Sequence, residues 1–242
     1  MMLRALRCEL FKCRHAPVWL AFFVLPIFPA CLGTFNYLAN LAVLSSGWYS
    51  LWSQHTLFAS MFFLPAQFGV FCAWQWRLEH TGHCWNSMMT APLPIRAFCL
   101  AKLIVAAGVS LMAQLCIGAL FLLSGKLAGI SDPLPAELWQ WLLCGAIGGG
   151  CVCAAQLLLS LMIRSFAPPV ALALVGGIGG LLLTSKGFGY AFPYSLLCLG
   201  MRANNPLLPL NMPLFLAFAF AYTALFTALS VRFLQRRDVT AE

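Results

Sequence analysis

Charge is what this chain has least of. Only 8% of its 242 residues are charged, and Asp and Glu together number 6. Four histidines complete the stock of general acids and bases. None of these residues falls inside the long apolar stretches described below. Catalysis needs positioned acids, bases or metal ligands, and intramembrane ionisable groups mark proton relays and ion-coupled transport. Their scarcity argues against a membrane enzyme, an intramembrane protease and a proton- or sodium-coupled carrier. The sequence has no H-E-x-x-H and no G-x-S-x-G. It also lacks G-x-x-x-x-G-K-[ST], the nearest glycine-lysine pair being Gly125-Lys126 without that spacing. The chain therefore binds no cofactor by a recognisable motif. If ATP drives it, a separate subunit holds the nucleotide. The one compact cluster of metal-ligating types is His80, His83 and Cys84. A zinc site needs a fourth ligand or water and no partner cluster is visible, so a solvated loop face is the default reading.

Apolar residues are present in excess, at 62%. They form six charge-free stretches, at 18–40, 57–76, 103–123, 138–163, 168–184 and 213–231. A bilayer core takes about 20 apolar residues per helix at about 1.5 Å rise each. The pattern predicts an all-α membrane protein with six transmembrane helices. Barrel strands would show short alternating segments instead. Spans and loops consume nearly the whole chain, so residues 1–242 read as a single transmembrane domain.

The net charge of +8 raises the question of nucleic acid, but its distribution answers it. With six spans and the N-terminus inside, 11 of the 14 Lys and Arg fall on the inner side, leaving Lys126, Lys186 and Arg202 outside. The positive-inside rule then puts both termini in the cytoplasm. The basic residues serve topology and contact with membrane lipid, and no nucleic-acid motif appears. Trp19, Trp74 and Trp76 at inner span ends, with Trp48, Trp52, Trp139 and Trp141 at outer ends, fit an interfacial aromatic belt. Eleven cysteines are scattered over spans and loops and give no disulfide framework. They read as small apolar residues. No cleavable signal peptide is apparent, and the first span reads as a retained helix.

Residues 2–15 read as an amphipathic helix lying in the membrane interface, with Leu3, Leu6 and Leu10 at helical spacing among basic residues. Pro26, Pro29 and Pro65 predict kinks in the first two spans. Gly145 with Gly149, and Gly176 with Gly180, form G-x-x-x-G pairs on the fourth and fifth spans. Small residues let backbones approach, so these two spans are expected to pack on each other as a hairpin, with a subunit interface as the alternative. The outer segment 185–212 is semi-apolar and proline-rich. It is too broken to span and predicts a re-entrant or interfacial helix around 193–203.

The inner loop, 77–97 and on to Lys102, is the richest segment: RLEHTGHCWNSMMTAPLPIRAFCLAK. An acidic residue precedes a short helix with Trp85 and Asn86, then a proline break at Pro92 and Pro94, then Arg96. Such a helix between two spans can act as a lever for a soluble partner. The plainer reading is a re-entry turn with an interfacial Trp and a snorkelling Lys102.

The stretch Gly47–Lys102, with GWYSLWSQHTLF, the FFLPAQFGVFCAWQWRLEH run and WNSMMTAPLPIRAFCLAK, resembles the permeases of ABC-2-type transporters. More narrowly it is similar to permease subunits of lantibiotic self-immunity and bacitracin-resistance exporters. The opening LRCELFKCRHAP is similar to that family's start, with Glu9 and Lys12 at its acidic-then-basic pair. The motif-bearing part covers about the first 105 residues. The resemblance implies a type V exporter-like permease, six spans preceded by the interfacial helix, working as a homo- or heterodimer with ABC ATPase subunits. ATP and Mg would be held by those partners. The resemblance makes the loop the coupling element, with Arg77, Glu79, His80, Trp85, Asn86, Pro92 and Arg96 as its candidate residues. It implies an amphipathic peptide antibiotic as substrate and a bacterial cytoplasmic membrane as location. Another cargo (lipid, glycan or drug) and a non-transporting anchor or sensor are the alternatives.

Overall fold

The computed structural model describes residues 1–81 and 93–236. Among them the chain is helical, and six helices are long and apolar enough to cross a membrane. An N-terminal helix, Met2–Cys13, precedes them. Span 1 is Val18–Ala39, span 2 Trp48–His80, span 3 Ile95–Leu127, span 4 Leu138–Met162, span 5 Ala167–Ser185 and span 6 Met212–Arg236. The membrane side that carries the N-terminal helix is called the near side here, and its opposite the far side.

Span 1 consists of two helices, Val18–Val24 and Ile27–Ala39, separated at Leu25 and Pro26. Proline lacks the N–H that would continue the ladder. In span 2 a π-helical stretch, Ala59–Phe63, separates Trp48–Phe58 from Leu64–His80. Pro65 follows it closely. Without a Pro65 N–H the Met61 carbonyl loses its helical donor, and the widened turn accommodates the ring. Span 2 is thus longer than the apolar stretch 57–76, and it brings His55 inside the bundle.

Span 4 is the hub. Its apolar stretch is 67% buried, against 17% for span 6. Spans 2, 3 and 6 all pack on it, because Gly, Ala and Cys from 144 to 155 keep its surface low. Spans 1, 5 and 6 turn most of their apolar surface outward, as helices facing lipid do.

The far-side segment carries a short helix, Ser195–Gly200. Leu196, Leu197, Cys198 and Met201 are wholly buried. This helix meets span 4 backbone to backbone. A Cβ on Gly148 would collide with the Leu196 carbonyl, and one on Gly200 with the Cys144 carbonyl. Gly148 lies ten residues into a helix that begins at Leu138, about 15 Å at 1.5 Å per residue. The segment therefore re-enters the bundle to roughly half its depth.

This arrangement corrects the expected hairpin of spans 4 and 5. Gly145 faces Gln114 and Met201, and Gly149 faces Ser110 and Phe68. Gly176 and Gly180 both face Tyr194. The re-entrant segment lies against Gly145 and Gly148 on span 4 and against Gly176 and Gly180 on span 5, while Gly149 meets spans 2 and 3. A smooth face admits any close backbone, and spacing alone does not name which one. The tryptophans need a similar correction. Trp52, Trp76 and Trp141 are buried, while Trp139 remains 66% exposed. Trp52 Nε1 donates to the Met201 carbonyl at 2.8 Å and stacks on Trp141 at 5.3 Å. Here the ring fastens the re-entrant segment instead of floating at the headgroups.

Candidate functional site

The densest polar site lies on the near side, where three elements converge. Glu9 and Lys12 stand three residues apart on one face of the N-terminal helix, at the spacing that lets side chains pair. Glu79 is in the last turn of span 2, and Lys102 in the second turn of span 3. The Lys102 side chain is wholly buried. Its ammonium donates to Glu9 Oε2 at 3.0 Å, to Glu79 Oε1 at 3.0 Å and to the Gln75 carbonyl at 3.1 Å. An ammonium has three donors, so every one is used. Lys12 donates to Glu9 Oε1 at 2.7 Å and also to Glu79.

Two carboxylates and two ammoniums make the cluster neutral, which is what allows it to be buried. Aromatic faces enclose it. The Lys102 ammonium lies 4.8 Å from the Phe98 ring centroid and 5.0 Å from that of Trp76, within cation–π range. Burial works against the charged form of Lys12. Its hydrogen bonds to Glu79 and Glu9 and the charges of both outweigh that, so its pKa lies above the ordinary lysine range. Lys102 thus does not snorkel. Span 3 has 33 residues, about 50 Å. Its first turns extend beyond the apolar core and carry Lys102 into the cluster.

The cluster clamps both ends of the loop that joins spans 2 and 3 and ties them to the N-terminal helix. This changes the role of Glu79, which is buried and serves the fold; it is not displayed to a partner. Arg77, two residues earlier and so on another face, is exposed, with its guanidinium 5.9 Å from the Phe166 ring in the link between spans 4 and 5. His80 packs against Trp76 with ring centroids 6.3 Å apart. Arg96 is exposed at the start of span 3 and borders a groove against span 6. Trp85, Asn86 and Pro92, like His83 and Cys84, lie outside the described residues. Among the described residues no three His, Cys, Asp or Glu are grouped to hold a metal.

A second polar site joins spans 1 and 2 on the far side. His55 is 2% exposed, and its Nε2 lies 2.9 Å from Thr34 Oγ1. Asn36 Nδ2 donates to Gln54 Oε1 at 2.6 Å, and Asn40 Nδ2 to Asn36 Oδ1 at 3.0 Å. Gly33 permits this crossing, since its Cα faces the His55 backbone with no room for a side chain. Sequence reasoning missed His55 because the charge-free stretch begins after it. It also paired Glu9 with Lys12 without reaching Lys102. The available signal was balance, since the near side holds two acidic residues before span 3 and one lysine at its start.

A search of curated proteins finds no match to this chain. The family described as ABC-2 family transporter protein matches residues 5–180, which takes in most of the N-terminal helix, the ion cluster, spans 1 to 4 and the greater part of span 5. The chain belongs to this ABC-2 family of transporter permeases.

Proposed function

We propose that this permease expels an amphipathic peptide antibiotic of the lantibiotic or bacitracin type from a bacterial cytoplasmic membrane. Family membership implies an ABC ATPase partner. In this reading ATP and Mg bind to that partner, both termini lie in the cytoplasm, and two permease chains face each other. The observation that carries the coupling half is the Glu9–Lys12–Glu79–Lys102 cluster. It makes the N-terminal helix, the end of span 2 and the start of span 3 one rigid body around the joining loop. A push from the ATPase against that body is delivered to two spans together. Nucleotide then favours one packing of the bundle over another, as any ligand-driven shift requires.

The cargo half is supported by the sequence resemblance and by the face formed by spans 1, 2 and 5. Span 2 touches both span 1 and span 5 through its π-helical stretch. Phe28 stacks on Phe63 at 5.9 Å, while half-buried Asn36 on span 1 and exposed Asn40 just past its end lie towards the far side. Apolar rings with amides towards one end suit an amphipathic peptide. The test is ATP turnover of the chain co-purified with its ATPase, with and without cationic peptide antibiotics. Stimulation by one peptide class supports the reading. A stable complex indifferent to every peptide points to another cargo, and failure to recruit an ATPase removes the coupling assignment.

A further inference from the structure

A groove of about 720 Å³ opens between the first half of span 3 and the stretch of span 6 from Phe220 to Arg236. Its walls are apolar or small, with Leu103 on span 3 and Ala224 and Ala228 on span 6. One end is different. Arg96 from the start of span 3 and Arg232 and Arg236 from the end of span 6 border it together. The two spans run in opposite directions, so all three arginines stand on the near side. Arg232 and Arg236 are four residues apart and share a helix face. All three are exposed. Among the described residues, no carboxylate lies within ion-pair distance of any of them.

Length identifies the occupant. Along span 6 the lining runs from Phe220 to Arg236, about 24 Å at 1.5 Å per residue. Half of a bilayer with its headgroups is about 20–22 Å thick. The groove therefore covers one leaflet, apolar where the acyl chains lie and basic where the phosphates lie. A crossing helix would need the full thickness. Basic pockets between membrane helices on the anionic side of a bilayer hold lipid headgroups. We infer that this groove binds one anionic phospholipid of the near-side leaflet, with its phosphate among Arg96, Arg232 and Arg236 and an acyl chain along Ala224 and Ala228. The inference is independent of the cargo and of the ATPase.

The test uses the full chain in nanodiscs with equimolar phosphatidylglycerol and phosphatidylcholine, followed by extraction and native mass spectrometry of retained lipid. Each arginine near an anionic surface is worth about a five-fold preference. The expected result is phosphatidylglycerol enriched at least about ten-fold over phosphatidylcholine, falling about five-fold in Arg232→Gln and nearly to unity in the triple Arg96→Gln, Arg232→Gln, Arg236→Gln variant. Arg4→Gln with Arg7→Gln, equally basic but outside the groove, keeps the enrichment. Should the triple variant not fold, Ala224→Phe with Ala228→Phe fills the groove and removes the lipid with every arginine in place. Equal retention of the two lipids overturns the inference, as does enrichment that survives both the arginine and the phenylalanine variants. Cross-links between two span 6 helices through a lipid-free groove overturn it in favour of a second copy of the chain.

Discussion

Lys102 on span 3 and Glu9 on the N-terminal helix meet at 3.0 Å although 93 residues separate them. The contact closes a loop through the first two spans and joins an interfacial helix to a transmembrane one. A charge pair in that place is not there for affinity alone, since desolvation cancels much of what burial gains. Its consequence is geometric. The N-terminal helix cannot move away without leaving a buried lysine short of an acceptor, so it must move with span 3.

Removing the lysine exposes that dependence. Lys102→Met leaves Glu9 and Glu79 beside only Lys12, and deleting one member of a buried ion network costs about 3–5 kcal/mol. Thermal unfolding of the detergent-solubilised variant should show this loss. The compensating change Lys102→Met with Glu79→Gln restores neutrality and should recover a large part of it. An undiminished midpoint for Lys102→Met would mean that the lysine is solvated and the cluster unimportant.

The same cluster predicts an alkaline limit. Lys12 has its folded pKa above its unfolded one, so its protonated form is the one the fold prefers. Its contribution is complete below the unfolded value, about pH 10.4, and disappears as pH rises through the higher folded value. The stability difference between the wild type and Lys12→Gln should therefore stay constant from neutral pH to about pH 10 and shrink above it. A difference already lost by pH 8 would contradict the paired geometry.

The parts of this fold that follow from local composition were legible, and those that depend on which surfaces meet were not. Six apolar runs locate six spans because a bilayer demands about 20 apolar residues regardless of neighbours. Pro26 interrupts span 1 because its ring lacks a donor wherever it sits. Gly145 and Gly176 marked close approach, but what they meet, Met201 and Tyr194 at the two ends of the re-entrant helix, comes from a segment that composition alone showed only as broken and semi-apolar. Lys102 lay at the edge of an apolar run, where snorkelling and ion pairing have the same sequence signature. Glu9 and Glu79, which decide between them, are distant in sequence. Glu79 itself was legible as important but not as buried.

Two glycines provide a matched test of the re-entrant helix. Gly148 faces the Leu196 carbonyl with no space for a methyl group, whereas Gly108 on span 3 faces open space. Gly148→Ala forces one backbone away from another and should cost about 1–3 kcal/mol, as overpacking does. Gly108→Ala should be neutral or stabilising by up to about 1 kcal/mol, from helix propensity alone. Hydrogen exchange over residues 194–203 should rise in the first variant and not in the second. Equal behaviour of the two would place the re-entrant helix elsewhere.

Trp52 gives an independent handle on the same segment. Its indole N–H is the donor to the Met201 carbonyl at 2.8 Å, and both residues are wholly buried. Trp52→Phe keeps an aromatic ring beside Phe121 and Trp141 but leaves that carbonyl without this donor. An orphaned buried acceptor costs about 1–3 kcal/mol. Exchange should increase first near Met201, with spans 3 and 6 unaffected. Uniform loosening would show that the ring's bulk matters and its hydrogen bond does not.

Arg77 and Glu79 stand two residues apart on span 2 with opposite surroundings. Glu79 accepts from two lysines inside the cluster, while the Arg77 guanidinium lies outside it over Phe166. Glu79→Ala should lower the unfolding midpoint and loosen the N-terminal helix, so any loss of transport there reports on stability. Arg77→Ala removes an exposed side chain and should change stability by no more than about 0.5 kcal/mol. If the near side is where an ATPase pushes, Arg77→Ala should nonetheless reduce peptide-stimulated ATP turnover in the co-purified complex. A variant as active as wild type would move the contact away from this face. One that unfolds would mean that the Phe166 contact holds spans 4 and 5 to span 2 and that Arg77, like Glu79, belongs to the fold.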